Sequence, residues 1–363
     1  MAGSEHLGGG RTPLSTRIIG ASDMARMVEI VGRDEFMDLM IESLRDRFER
    51  FDPANVQVRA RDGFRYDKPD LGLIEWMPTH EIAGPVVVKM VGYHPTNPVQ
   101  RDLPSVIATS SMWDTETGHL VAIADATLLT AVRTGAASAI ATDLLARRGP
   151  VTVGIVGLGA QAVTQLHAIS RVRTVERVLA TDTNAEVAAT FAARTRFLGL
   201  DIDVLDPADA GSLVERVDVL CTCTSVDIEA GPVVVDGPER TGLHVNAVGA
   251  DCPGKVELPA ALLRRAVVVP DILEQCIVEG ECQQLDPHEI GLSLPELVQQ
   301  SADAAALRER LTVFDSTGWA VEDDVALRLA IELADTHGLG AEIQLEHLPV
   351  DPYDPYASEQ GNR

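Results

Sequence analysis

A glycine-rich turn between a strand and a helix constrains the fold of this chain more than any other feature. Residues 151–162 read VTVGIVGLGAQA, which is a β-branched run of strand length, then glycines, then a stretch with helical spacing. Gly157 permits a tight turn, Gly159 allows the backbone to approach a pyrophosphate, and Ala162 allows the helix to pack closely on the strand. The turn therefore predicts a βαβ unit that binds a dinucleotide.

The residues around this turn predict which dinucleotide is bound. The first helical residues, Ala160 and Gln161, would place free amide groups and the positive end of the helix dipole next to the phosphates. Asp182 ends the next predicted strand, about 20 residues further on, where a ribose-binding carboxylate belongs. It is followed by Thr183 and Asn184 rather than by an arginine that could accept a 2′-phosphate. The pattern favours NAD over NADP, with a simple turn residue at Asp182 as the alternative.

Apolar strands recur through the second half of the chain. They lie at residues 151–157, 177–182, 201–205, 217–223, 244–250, 266–271 and 311–318. Most are separated by helical patterns, and their near-continuous apolar character is typical of parallel strands covered by helices on both faces. The predicted fold class is therefore α/β with a Rossmann-type, doubly wound parallel sheet.

The first half has a different pattern. A helical spacing at 34–51 is followed, from 56 to 111, by short β-branched runs between Pro and Gly turns, which predicts a mixed α+β domain. An Ala-rich helix from about 125 to 149 leads into the parallel sheet, and an amphipathic helix at 321–335 is expected to return to the first domain. We assign residues 14–128 and 319–350 to the first domain and residues 129–318 to the dinucleotide-binding domain.

Composition excludes several classes of partner. The 363 residues carry a formal net charge of −25, which repels phosphate backbones and anionic lipid surfaces. No apolar run approaches the roughly 18 residues that a spanning helix needs, and no signal peptide is evident, so a cytoplasmic location is expected. The five cysteines have no CxxC spacing, so neither a disulfide framework nor a metal site is predicted.

Four ionisable residues stand in contexts that indicate binding or catalysis. Lys89 follows three valines, and a lysine buried in this way needs a charge partner or a ligand. Glu75 lies in LGLIEWMP, and Arg133 lies among small residues of the Ala-rich helix. Asp251 follows the strand HVNAVGA, and ligands of open α/β sheets sit at such strand ends, so it would face the nicotinamide. The alternatives are an edge-strand salt bridge for Glu75 and Lys89, a side chain with a buried stem and an exposed head group for Arg133, and a capping role for Asp251.

The chain resembles the ornithine cyclodeaminase and mu-crystallin family from about Val28 to Leu333. The resemblance depends on ordered motifs, namely IEWMP, VKMVGYHPTNP, LLTAVRTGAASA, VGLGAQA, GADCPGK, VEGECQQL and FDSTGWAVEDDVAL. Glu75 and the stretch EGECQQL (279–285) look more like the cyclodeaminase branch than the crystallin or alanine dehydrogenase branches. The loop RYDKPD (65–70) and the sequence GYHP depart from the pattern near the amino acid pocket, so the identity of the substrate stays open.

The resemblance implies roles for the candidate residues. Lys89 and Arg133 would bind a substrate carboxylate together with an arginine on the strand before Glu75, and Arg133 would also lie against the cofactor. Within VQVRARDGF, Arg59 fits the preceding pattern better and Arg61 fits the spacing to Glu75 slightly better; we assign Arg59.

The resemblance also implies a reaction. Glu75 and Asp251 would handle the two amino groups of L-ornithine, or of a close diamino acid such as lysine, with Asp251 as the base that frees the side-chain amine for ring closure. The expected products are the cyclic imino acid, L-proline from ornithine, and ammonia, with the hydride returned internally by NAD. The alternatives are an NAD-dependent amino acid dehydrogenase or imine reductase, and a non-catalytic crystallin-like binding protein. A homodimer formed through the first domain's sheet is expected.

Overall fold

The computed structural model describes residues 14–357, and in that part of the chain fifteen strands form two sheets. The first sheet contains β1 (Thr16–Ile19), β2 (Val56–Val58), β3 (Asp62–Tyr66), β4 (Gly72–Glu81), β5 (Val86–Tyr93), β6 (Val106–Trp113), β7 (Leu120–Asp125) and β15 (Ala341–Ile343). The second contains β8 (Val151–Val156), β9 (Val175–Thr181), β10 (Ile202–Val204), β11 (Val219–Thr222), β12 (His244–Ala247), β13 (Val267–Pro270) and β14 (Thr312–Asp315).

Twelve α-helices accompany these strands within residues 14–357. They are α1 (Ala21–Val31), α2 (Arg33–Glu49), α3 (Asn97–Arg101), α4 (Thr127–Leu145), α5 (Ala160–Val172), α6 (Ala185–Arg194), α7 (Leu213–Arg216), α8 (Ala260–Arg265), α9 (Leu273–Glu279), α10 (Leu294–Gln299), α11 (Ser301–Ala306) and α12 (Ala320–His337).

The second sheet confirms the predicted Rossmann-type fold. Its strand order is β10-β9-β8-β11-β12-β14-β13, and every neighbouring pair is parallel. The central strands β8, β11, β12 and β14 are buried on both faces, as expected for a parallel sheet covered by helices. From β8 the chain adds β9 and β10 on one side and then β11 and the later strands on the other side. This change in the order of strands opens a crevice at the carboxyl ends of β8 and β11.

The first sheet is mostly antiparallel and is larger than the sequence indicated. Its order is β15-β1-β7-β6-β5-β4-β2, with β3 beside β4 and a parallel β1–β7 pair. The strand β1 and the helix α1 lie within the predicted domain but precede residue 34, where the first element was predicted. A four-residue strand is too short to show a period, so only its pairing with β7 and β15 reveals it.

The helix α4 is the apolar centre of the molecule. By length and hydropathy it could cross a membrane, contrary to our expectation that no run approaches that length, but most of it is buried inside the protein. It packs against α5, α2 and α12. At Gly135, an added Cβ would lie 2.6 Å from the carbonyl oxygen of Thr164 on α5, so only glycine permits this close helix contact.

The helix α12 packs on the first sheet after the second sheet is complete. It contacts β4, β5 and β6 as well as α1, α2 and α4, and β15 then pairs with β1. These contacts place acidic residues of α12 under the strand that carries Lys89. The domain boundaries at 128/129 and 318/319 stay predictions.

Candidate active site

Lys89 and Arg133 share one buried carboxylate. The Nζ atom of Lys89 on β5 lies 2.7 Å from Oδ2 of Asp323 on α12, and Nε of Arg133 on α4 donates to the other oxygen of Asp323 at 3.0 Å. Nη1 of Arg133 also donates to Glu322 at 2.9 Å. All four side chains are almost fully buried. The two basic residues that sequence analysis selected are therefore brought together.

This cluster pairs two buried cations with two buried carboxyl groups. Burial lowers the pKa of Lys89 to about 8, although Asp323 opposes that shift, so Lys89 is mostly protonated at pH 7. Burial raises the pKa of Glu322, and Arg133 opposes this shift. Burial alone would raise the pKa of Asp323, but Arg133 and Lys89 lower it below the ordinary value. Two cations held in fixed positions suit the binding of a substrate carboxylate.

Arg61, and not Arg59, reaches the cleft. Nε of Arg61 lies 2.9 Å from Glu279, its Nη1 lies 3.7 Å from Glu75, and its Nη2 donates to the carbonyl oxygen of Thr317 at 2.6 Å. Arg59 is exposed to solvent. Our choice of Arg59 is therefore corrected. The two arginines lie in the irregular segment between β2 and β3, where strand alternation does not decide which side chain points inward.

Glu75 and Glu279 face each other across Arg61. Burial raises the pKa of Glu75, and Arg61 opposes this shift. Burial likewise raises the pKa of Glu279 to about 7 against the effect of Arg61. Glu279 was not predicted as a site residue, since the stretch that begins with it indicated only a branch of the family. The motif EGECQQL was the available signal. Glu279 contacts Arg61 across more than 200 positions, however, and only the folded structure shows that contact.

Asp251 lies in the loop after β12 and ion-pairs with Lys255 at 2.9 Å. Lys255 is buried, and its Nζ lies 5.7 Å from the ring centroid of Tyr93 at the end of β5. The Asp251 carboxylate raises the pKa of Glu75, so the two carboxyl groups are close enough to interact electrostatically. The Asp251 side chain and Tyr93 line one cleft with Ser225, between the first sheet and the carboxyl ends of the second.

The glycine-rich turn has the geometry that a pyrophosphate needs. Gly157 has φ 87°, and an added Cβ would lie 2.8 Å from the carbonyl oxygen of Cys223, so a side chain is excluded there. Gly159 is the N-cap of α5, and an added Cβ would meet no protein atom within 4 Å. This open space lies in front of the exposed amide of Ala160, while the side chain of Gln161 bonds to Thr164 within the helix.

Asp182 is fixed beside this turn. Its Oδ2 accepts the N–H of Leu158 at 2.6 Å, and its Oδ1 accepts the N–H of Asn184 at 2.7 Å. The carboxylate thereby stands at the end of β9, next to the first glycines, where an adenosine ribose would lie. These residues fit NAD. Among residues 14–357, no group of three or more His, Cys, Asp or Glu side chains is arranged to hold a metal ion.

The glycine-rich turn, the ribose carboxylate and the cleft of ionisable groups define an NAD-binding enzyme. The chain belongs to the ornithine cyclodeaminase/mu-crystallin family, whose profile matches residues 21–337. It is 44% identical over 345 residues to an L-lysine cyclodeaminase of Streptomyces rapamycinicus, covering 95% of this chain and 100% of that protein. These matches confirm the predicted family.

Two solved structures show the same fold. A lysine cyclodeaminase, described for its recognition of L-lysine, L-ornithine and L-2,4-diamino butyric acid, superimposes with a TM-score of 0.91 at 42% identity over 95% of this chain and 99% of that chain. An archaeal alanine dehydrogenase dimer with bound NAD superimposes with a TM-score of 0.78 at 30% identity over 92% of this chain and 100% of that chain.

Proposed function

We propose that this protein is an NAD-dependent cyclodeaminase that converts a linear diamino acid, L-lysine or L-ornithine, to the cyclic imino acid and ammonia. The observation that carries the proposal is the placing of two carboxylates, Glu75 and Asp251, near the basic residues Arg61, Lys89 and Arg133. A simple dehydrogenase needs no group for a second amine. The 44% identity to a lysine cyclodeaminase supports L-lysine as the first substrate to test, ahead of the ornithine that sequence analysis named.

The basic residues bind the substrate carboxylate in this proposal. Lys89 and Arg133 are held by Asp323 and Glu322, so their positions are fixed before substrate arrives. Arg61 is held by two backbone carbonyl groups and directs its remaining donors toward Glu75 and Glu279. This preorganisation lowers the entropic cost of orienting the α-carbon.

The carboxylates handle the two amines. Glu75 orients the α-amino group, and Asp251 accepts a proton from the side-chain ammonium, whose pKa in water is about 10.4. The free amine can then attack the oxidised α-carbon within the same pocket, and ammonia leaves from the ring. NAD, when bound, supplies the hydride acceptor and donor at the α-carbon. Lys255 holds Asp251 in the cleft.

The test is incubation of the purified protein with NAD and each diamino acid in turn. We expect ammonia in proportion to a cyclic product identified by mass, without accumulation of NADH. Release of NADH in proportion to product with every diamino acid would favour the dehydrogenase alternative. Absence of any turnover with NAD bound would favour the crystallin-like alternative.

Glu279 predicts a pH dependence of substrate binding. Because its pKa is raised to about 7, it gains charge as the pH rises through 7 and then competes for Arg61 with the substrate carboxylate. We expect the KM to rise about threefold or more from pH 6 to 8, and this rise to be smaller in Glu279→Gln, where the loss of charge from Lys89 near pH 8 still contributes. The exposed Glu274→Gln on the same helix serves as the control and should keep the wild-type profile. An unaltered profile in Glu279→Gln would contradict the competition.

We infer a homodimer formed through the outer face of the first sheet. Ile74, Met90 and Ile107 are each about 40% exposed and line one groove on that face. A contiguous apolar surface of this kind is typical of a protein interface. A cytoplasmic location remains our inference from composition alone.

The dimer is tested with Met90→Asp. The buried charge should shift the wild-type dimer to monomer in sedimentation equilibrium, because the cost of desolvating a carboxylate opposes association. Val204→Asp changes an equally exposed apolar residue on the second sheet and should leave the dimer intact. A monomeric wild-type protein, or a dimeric Met90→Asp, would contradict the assignment.

A further inference from the structure

Arg194 brings a guanidinium group to the glycine-rich turn. It lies at the end of α6, and its side chain runs back along the helix so that Nη2 donates to the carbonyl oxygens of Leu158 at 2.7 Å and Val187 at 2.9 Å. Nη1 donates to the carbonyl oxygen of Gly159 at 3.3 Å. The residues directly after Asp182 contain no arginine, but the fold supplies one from the other end of the next helix.

Asp182 and Arg194 bind the same residue. Asp182 accepts the N–H of Leu158 at 2.6 Å while Arg194 donates to its carbonyl oxygen, so a carboxylate and a guanidinium flank one residue of the turn. Burial lowers the pKa of Arg194, and the charge of Asp182 opposes that shift. Within the described chain, the hydrogen bonds from Arg194 to three carbonyl groups and to Thr190 leave one N–H of Nη1 free.

We propose that Arg194 is a 2′-phosphate-binding group that Asp182 prevents from acting. A ribose 2′-phosphate carries up to two negative charges and would meet the Asp182 carboxylate at the end of β9, which repels it. With that carboxylate removed, the Arg194 guanidinium, which already lies beside the turn and has a free N–H, can pair with the phosphate. Selection of NAD over NADP therefore depends on one carboxylate, and the group that would accept NADP is already in place.

The test uses the smallest pair of ligands that differ by the 2′-phosphate, AMP and 2′,5′-ADP, with binding measured by calorimetry. The wild-type protein should prefer AMP. Asp182→Ser should weaken AMP binding and strengthen 2′,5′-ADP binding, each by about tenfold, because hydrogen bonds to a charged group have roughly that effect. The gain for 2′,5′-ADP should be lost in Asp182→Ser/Arg194→Met and should shrink at high salt.

Two further variants distinguish binding of the 2′-phosphate by Arg194 from its structural support of the glycine-rich turn. Asp182→Ser/Arg194→Gln keeps an N–H donor for the carbonyl groups but not the charge, and it should also lose the gain. Asp182→Ser/Arg177→Met removes an exposed arginine of β9 and should keep the gain. Thermal unfolding of each variant checks that it is folded. The proposal is overturned if Asp182→Ser does not strengthen 2′,5′-ADP binding, or if the gain persists in a folded variant without Arg194.

Discussion

Asp251→Asn should lower the rate of cyclic product formation by about 100-fold or more, the usual scale for loss of a general base. The amide keeps the size of the side chain and can still bond to the surrounding loop, but it cannot take a proton from the side-chain ammonium of the substrate. Oxidation at the α-carbon does not need that proton transfer. We therefore expect the variant to release a 2-oxo acid and NADH in equal amounts, from hydrolysis of the open-chain imine.

The matched control is Asp227→Asn, because Asp227 lines the same cleft and is exposed. It should keep at least half of the wild-type rate. A substrate deuterated at the α-carbon gives an independent measurement, since the wild-type product should carry the label at its own α-carbon. Full activity of Asp251→Asn, or loss of the label to solvent from the wild-type enzyme, would contradict the role of Asp251 or the internal return of hydride.

The dinucleotide-binding half could be predicted from sequence because its signals are local. Most strands of the parallel sheet are short and mainly apolar, and Gly157, Gly159 and Asp182 have meanings that depend on a few neighbours. The fold of this half and its glycine-rich turn can therefore be predicted without knowledge of tertiary contacts.

The substrate half could be predicted only in part because its contacts are long-range. Glu322 and Asp323 stand in the first turn of α12, where acidic residues ordinarily serve the helix dipole in solvent. The structure buries them because Lys89 and Arg133 arrive from β5 and α4. In the same way, the contacts of Arg61 with Glu279 and of Arg194 with Leu158 join distant parts of the chain, and no spacing in the sequence predicts them.

Lys89→Met should raise the KM for the diamino acid by about 100-fold or more, since loss of a charged partner in a buried site costs roughly 3 kcal/mol or more. The affinity for NAD should stay within about twofold, because the Lys89 ammonium is paired with Asp323 and is proposed to bind the amino acid rather than the dinucleotide. The change also leaves Asp323 with Arg133 as its remaining cation, so the melting temperature should fall. Measuring NAD affinity and KM on the same preparation separates a binding defect from unfolding.

Arg61→Met extends this test to a residue with a near neighbour as control. Arg61 contacts Glu75, Glu279 and two backbone carbonyl groups, whereas Arg59 is exposed. If Arg61 binds the substrate carboxylate, Arg61→Met should raise the KM by about tenfold or more, and Arg59→Met should leave it unchanged. The reverse outcome would restore the assignment of Arg59. Equal KM values in both variants would leave the carboxylate to Lys89 and Arg133 and make Arg61 a residue that positions Glu75 and Glu279.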